Sequence, residues 1–214
     1  PEVLPQVRAA LDLRTRFLPL MYTLAHQAHR DGSPIIRPLL HDFPEDPAAY
    51  ADQDALMLGP DVLFSPVVEE GSRTKTQYLP RTAQGWIEYR TGAHHPGGTT
   101  VTVDAPLGSP PVFIRVGAVL ALASATPDVK PHDAPARQLY CAFAGPRGEG
   151  GGAHMEDDGE SFAYRDGALL DIVFRAAWSG GVANVAIERR GGGEVPALGW
   201  QIAGPAGLPP VTLG

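Results

Sequence analysis

The sequence predicts a mainly β chain, in which the last helix–strand elements of a (β/α)8 barrel precede two small antiparallel β-sandwich domains. Three observations carry this reading. Residues 13–46 read as a long amphipathic helix, a glycine-containing turn, a short apolar strand and an abrupt proline-flanked exit. One strand with a helix or two cannot bury its own apolar surface, so this stretch is expected to complete a barrel whose other strands lie elsewhere. From residue 76 onward, short apolar runs alternate with two- and three-residue turns, the grammar of antiparallel sandwiches. The 25 glycines and 22 prolines concentrate in the second half, favouring short strands and many turns over long helices.

Each element follows from local pattern. Val7, Leu11, Phe17, Leu18, Met21, Leu24 and Ala28 recur at helical spacing and predict a helix over 7–30. Pro19 is expected to kink or locally open it, and Asp31-Gly32 to end it. Residues 34–40 predict a strand with Pro38 near its end. Residues 43–47 form a turn, with Pro47 opening a short helix over 48–54. Residues 56–68 turn strand-like, and strands follow at 76–79, 85–89, 99–103, 112–116 and 119–123. The apolar rhythm stops between 124 and 137. It resumes in strands at 137–144, 152–156, 161–165, 169–177, 182–189 and 200–202. The expected organisation is a terminal barrel portion over 1–58, a proximal sandwich over 59–123, a linker over 124–136 and a distal sandwich over 137–214. Residues 203–214 carry no assignment.

Composition narrows function. A net charge of −7 with scattered basic residues argues against nucleic-acid binding, which needs a basic face. No apolar run reaches the roughly 18 residues that span a bilayer, so no membrane partner is expected. Cys141 is the only cysteine, so no internal disulfide forms. With no signal peptide visible, this favours a cytoplasmic setting.

Four blocks in order carry a resemblance. The first comprises Leu18, Pro19, Tyr22, Thr23, Leu24, Ala28 and His29, then Gly32, Pro34, Arg37, Pro38, Leu39, Phe43, Pro44 and Asp46. The second runs from Leu56-Met57-Leu58-Gly59-Pro60-Asp61 to Ser65-Pro66-Val67. The third holds Tyr78-Leu79-Pro80, Gly85-Trp86, Thr91-Gly92, Val103-Asp104-Ala105-Pro106-Leu107 and Pro111-Val112-Phe113-Ile114-Arg115. The fourth is Glu156-Asp157-Asp158-Gly159-Glu160-Ser161 with Ala163-Tyr164. Together they resemble the region that closes the catalytic barrel and follows it in glycoside hydrolase family 31, the α-glucosidase and α-xylosidase family. Ala121 and Ile87 depart from the family pattern without touching its chemistry, and His41 departs from it in the first block.

The resemblance implies a retaining hydrolysis of α-glucosidic or α-xylosidic bonds by the intact enzyme. Such enzymes need two carboxyl groups about 5–5.5 Å apart, one a nucleophile and one an acid/base. In the family both are aspartates on upstream barrel strands, and neither motif occurs here. No catalytic residue is therefore assigned, and the chain alone is expected to be inactive. The expected partners are the upstream barrel, or another chain supplying it, and an α-linked glucoside or oligosaccharide. No cofactor and no metal is expected.

The remaining candidates lie where the predicted strand leaves the barrel mouth. Arg37 is a charge amid Ile35, Ile36 and Leu39, and must be paired if buried; the expected partner is an acid from the upstream barrel. His41, Asp42 and Phe43 exit at the end where barrel active sites form, and are candidates to line or brace the substrate cleft.

Other motifs read as structural. Consecutive strand residues face opposite ways, so Asp157 and Asp158 cannot converge, and the acidic run is expected at a hairpin tip with Glu156 solvated. Residues 148–153 are expected to be a flexible glycine loop, and His94-His95 a solvated turn. His26 and His29 lack a third metal ligand nearby. A rival reading is a stand-alone carbohydrate-binding sandwich, which needs two or more exposed coplanar rings among Trp86, Tyr89, Trp178 and Trp200.

Overall fold

The computed structural model describes residues 3–52, 54–124, 136–191, 199–205 and 208–214. The expected linker falls almost wholly outside the described residues. The chain divides into two compact units: Pro1–Leu11 with Pro34–Val116, and Asp12–Ser33 with Gly117–Gly214. A single helix, α1 (Leu4–Asp31), contributes its start to the first unit and the rest to the second.

The first unit is antiparallel throughout its described pairings. Its elements are β1 (Ile36–Pro38), α2 (Leu39–Asp42), α3 (Pro47–Ala51), β2 (Leu56–Leu58), β3 (Val62–Phe64), β4 (Thr74–Leu79), β5 (Trp86–Glu88), β6 (His94–His95), β7 (Thr99–Asp104) and β8 (Val112–Arg115). One sheet has the order β1-β2-β3-β8-β5-β6, and β4 pairs with β7. Leu39, Phe43, Met57, Leu63, Trp86 and Phe113 centre the core. Asp46 ties its layers together. Its side chain caps α3 through Ala48 N–H, and accepts Tyr78 Oη at 2.7 Å and Arg81 N–H at 3.0 Å.

The second unit adds β9 (Val119–Ala123), β10 (Ala136–Cys141), β11 (Arg147–Glu156), β12 (Leu170–Ser179), β13 (Val182–Arg189), β14 (Gly199–Ala203) and β15 (Val211–Leu213). They form a β14-β10-β9 sheet and a β11-β12-β13-β15 sheet. Strand β12 shows the alternation of a half-buried strand: Leu170, Ile172, Phe174, Ala176 and Trp178 are buried, while Arg175, Ala177 and Ser179 are exposed. The Phe174 ring meets Trp200 of β14 edge-on at 5.4 Å, so the two sheets face each other across these rings. Two pairings, β10–β14 and β13–β15, are parallel.

Several sequence expectations need correction. The strand expected over 34–40 stops at Pro38, whose extended backbone (φ −68°, ψ 158°) precedes the single helical turn α2. Asp42 folds back onto Arg37, which requires the chain to reverse there. The stretch 56–68 splits into β2 and β3 because Gly59 takes φ 61°. Residues 161–165 are not a strand; Ala163–Asp166 forms a 3-10 turn closed by left-handed Gly167. Strand β15 was not expected at all, its three residues being too short to show alternation.

The glycine run is no loop: it lies inside β11. A Cβ on Gly150 would sit 2.0 Å from Gly117 O, and one on Gly152 1.9 Å from Val119 O. The glycines allow the backbone entering β9 to cross β11 at contact distance, and Gly151 N–H donates to Gly117 O there.

Candidate functional site

Three of the four candidate residues converge. Arg37 sits on β1 opposite Met57 and is 7% exposed. Its Nε donates to Asp42 Oδ2 at 2.7 Å, and its Nη1 to Pro34 O at 3.3 Å. Phe43 N–H donates to Leu39 O, closing the turn that brings Asp42 back. Phe43 is buried and meets Trp86 edge-on at 6.0 Å. His41 points away from this core: its side chain is 43% exposed and its Nδ1 lies 3.8 Å from Asp42 Oδ1. Within this chain the acid that Arg37 meets is Asp42, five residues on. A strand-only reading of 34–40 hid it, because an extended chain would carry Asp42 away.

Sequence reasoning passed over Arg115. Its guanidinium lies 5.2 Å from the Phe43 ring centre and 5.9 Å from that of Trp86, with Asp61 Oδ1 at 4.0 Å. Burial pushes the Asp61 carboxyl up, against the opposing charge of Arg115. The signal was present: a lone charge closes the apolar run Val112-Phe113-Ile114-Arg115. These groups form neutralised pairs around aromatic rings. Such an arrangement can hold a wall in place, but it presents no free nucleophile.

A second polar cluster belongs to the other unit. Tyr22 and His26, one helical turn apart on α1, both reach Asp157. Tyr22 Oη donates to Asp157 Oδ1 at 2.5 Å, and His26 Nε2 lies 3.3 Å from Oδ2. Partial burial and the Asp157 bond raise the Tyr22 phenol above its ordinary range. Thr23 Oγ1 donates to Pro19 O and accepts Met155 N–H at 3.0 Å, so α1 is stitched to β11 at the level of Pro19. Glu156 is not solvated as expected: Arg137 pairs with one carboxylate oxygen and His154 Nε2 lies 2.9 Å from the other. Burial would raise this carboxyl, but the His154 bond and the Arg137 charge outweigh it and lower it. Asp158 fits the hairpin-tip expectation, accepting from Glu160 N–H, Ser161 N–H and Ser161 Oγ.

The rings named for a sugar platform are largely enclosed. Trp86 is fully buried, with Nε1–H donating to Pro80 O. Trp178 is buried, stacks on Phe143 at 4.4 Å, and donates to Ala144 O. Cys141 is buried and its thiol is pushed up to about 12 by desolvation, which removes it as a nucleophile. Among the described residues no group of three His, Cys, Asp or Glu side chains is placed to hold a metal ion.

The model of the glycosyl hydrolase family 31 C-terminal domain matches residues 32–120, which hold the Arg37–Phe43 turn and the sheet behind it. Residues 32–120 are thus a glycosyl hydrolase family 31 C-terminal domain. Among relatives, alpha-glucosidase 2 of Bacillus thermoamyloliquefaciens is 27% identical over 186 residues, covering 86% of this chain and 23% of that protein. Mouse neutral alpha-glucosidase AB is 34% identical over 163 residues, covering 74% of this chain and 17% of its own length. The family 31 dextranase of Flavobacterium johnsoniae, solved with glucose, superposes over 92% of this chain and 24% of its own. The TM-score is 0.78 at 28% identity. The Xanthomonas citri α-xylosidase superposes over 90% of this chain and 20% of its own, with a TM-score of 0.70 at 25% identity. The chain therefore spans about a fifth of the length of these proteins.

Proposed function

We propose that this chain is the C-terminal part of a retaining α-glycosidase acting on α-glucosidic or α-xylosidic bonds. In this reading residues 1–58 supply the last barrel elements and the β-structure behind them supports the barrel's seam. The Arg37–Asp42 pair braces the turn that leaves the barrel mouth, Phe43 fills the space behind it, and His41 lies closest to the cleft. The chain supplies no catalytic carboxylate; both come from the barrel.

One observation carries the reading. Among the described residues β1 is the outer strand of its sheet, and Ile36, Leu40 and Leu56 around it are 56%, 41% and 40% exposed. An open strand edge flanked by apolar side chains is a surface made to be paired and covered. Barrel strands are what such an edge receives when a barrel closes.

The test is enzymatic. Purified Pro1–Gly214 is expected to show no hydrolysis of an aryl α-glucoside. A longer polypeptide that contains this sequence is expected to hydrolyse it. In that polypeptide Arg37→Ala should lower kcat/KM, while neither catalytic aspartate should map to positions 1–214. Turnover by the 214-residue chain, abolished by a substitution within it, would overturn the proposal.

A further inference from the structure

A cleft of about 330 Å³ opens within the second unit, between the last turns of α1 and the 3-10 turn Ala163–Asp166. Its described lining is His26, His29 and Arg30 of α1, Tyr164 and Arg165 of the turn, and Leu169. Four of these side chains are basic and none is acidic. The chain as a whole carries a net charge of −7, so this is a local reversal of sign.

Part of the basic character has an ordinary cause. His29 and Arg30 stand in the last turn of α1, where the helix's partial negative charge favours cations. Arg30 is also taken by Asp171, Nη2 to Oδ2 at 2.8 Å, and His26 Nε2 faces Asp157 Oδ2 at 3.3 Å. Arg165 has neither explanation. It comes from the 3-10 turn and meets no carboxylate among the described residues. Its guanidinium lies 4.5 Å from the Phe162 ring centre and 5.8 Å from that of Tyr164. Stacking on rings fixes a guanidinium in place without neutralising it, and leaves its N–H edge able to donate.

A second observation is independent of Arg165. The His26 and His29 rings stand edge-on to Tyr164, at 5.7 and 6.3 Å, and hold it in the lining. Neither the His29 ring nitrogens nor the Tyr164 hydroxyl has a hydrogen-bond partner among the described residues. Unused polar groups on two different elements therefore meet at one cleft.

We infer that this cleft binds a small organic oxyanion, a carboxylate or phosphate carried on an apolar or aromatic body. The Arg165 fork takes two oxygens side by side, the geometry a guanidinium offers to carboxylate and phosphate alike. His29 and the Tyr164 hydroxyl add donors, and the body lies on Leu169 and the Tyr164 ring. The volume, with few convergent polar groups, is that of a small-molecule site. This assignment does not depend on the glycosidase reading.

Isothermal titration of the purified protein with phenyl phosphate and with benzoate, at low and high salt, tests it. At least one anion is expected to bind, more weakly as salt rises, and the tighter of the two tells phosphate from carboxylate. Benzyl alcohol and benzylammonium are expected to bind more weakly by about tenfold or more, the worth of a charge-assisted hydrogen bond. Arg165→Gln should lose about the same factor; the side chain is exposed, so the fold is not at stake. Arg175→Gln removes the same charge from an exposed site on β12 and should leave the isotherm unchanged. Equal affinity for benzyl alcohol, preference for benzylammonium, an unchanged Arg165→Gln isotherm, an equal loss in Arg175→Gln, or no heat with either anion would each overturn the assignment.

Discussion

At the residue scale, the chain places charges where they are costly and then satisfies them. Arg37 and Asp42 show the consequence most directly. Removing one partner strands the other in a nearly water-free site, so Asp42→Ala is expected to cost about 3–5 kcal/mol in denaturant unfolding. The double replacement Arg37→Met with Asp42→Leu should cost far less, because no charge is left behind. Asp46 makes a pH prediction. Burial alone would raise its carboxyl, but the bonds from Tyr78, Arg81 N–H and Ala48 N–H outweigh it and hold it below the ordinary range. A carboxyl lowered in the folded state stabilises above its unfolded pKa, about 3.9, and that stabilisation fades as pH falls through the folded value. Urea midpoints followed from neutral pH downward should therefore drop in this acid limb. Asp46→Asn should flatten the drop while lowering stability at neutral pH by about 1–2 kcal/mol, the cost of a lost cap.

At the element scale, sequence legibility depended on whether a signal was local. The helix was readable because Phe17, Leu18, Met21 and Leu24 recur at its period; Phe17 and Leu24 are buried, whereas Val7 and Leu11 of the same stripe are exposed. Strands β9 and β13 were readable from apolar runs between turn residues. The Gly148–Gly152 stretch was misread because a glycine run looks the same in a flexible loop and where two backbones touch. Only the position of Gly117 and Val119 decides between them. Gly150→Ala or Gly152→Ala should lower stability by about 1–3 kcal/mol, since the backbone entering β9 must shift to admit a methyl group. Gly159→Ala is the contrast: nothing lies within reach of its Cβ, and only its positive φ resists the change. Guanidinium unfolding of the three variants checks the ranking. Within the candidate site, Arg37 and Asp42 were both legible as interesting residues but not as partners, because their pairing rests on a turn that Pro38 starts and no periodicity announces.

At the scale of the whole molecule, the family was legible from four ordered blocks, while the cleft beside α1 was not. Its parts come from residues 26–30 and 164–169, and no motif joins them. The same scale governs surface behaviour. In the first unit Val3, Leu4, Val7 and Leu11 of the chain's start are exposed, as are Ile36, Leu40 and Leu56. That much apolar surface is expected to bind anilinonaphthalene sulfonate in the folded state at neutral pH. Ile36→Lys with Leu40→Glu should reduce the fluorescence while leaving the circular dichroism spectrum unchanged. A signal carried wholly by an unfolded fraction would scale with denaturant instead, and would not respond to these surface changes.

The solitary thiol has a practical corollary. Cys141 closes β10, shut away from solvent and reluctant to ionise, so an alkylating reagent reaches it only when that strand parts from its neighbours. Its labelling rate in native buffer therefore clocks the opening of the sheet around β10. The protein carries a built-in stopwatch for local unfolding, with no competing sulfhydryl anywhere else in the sequence.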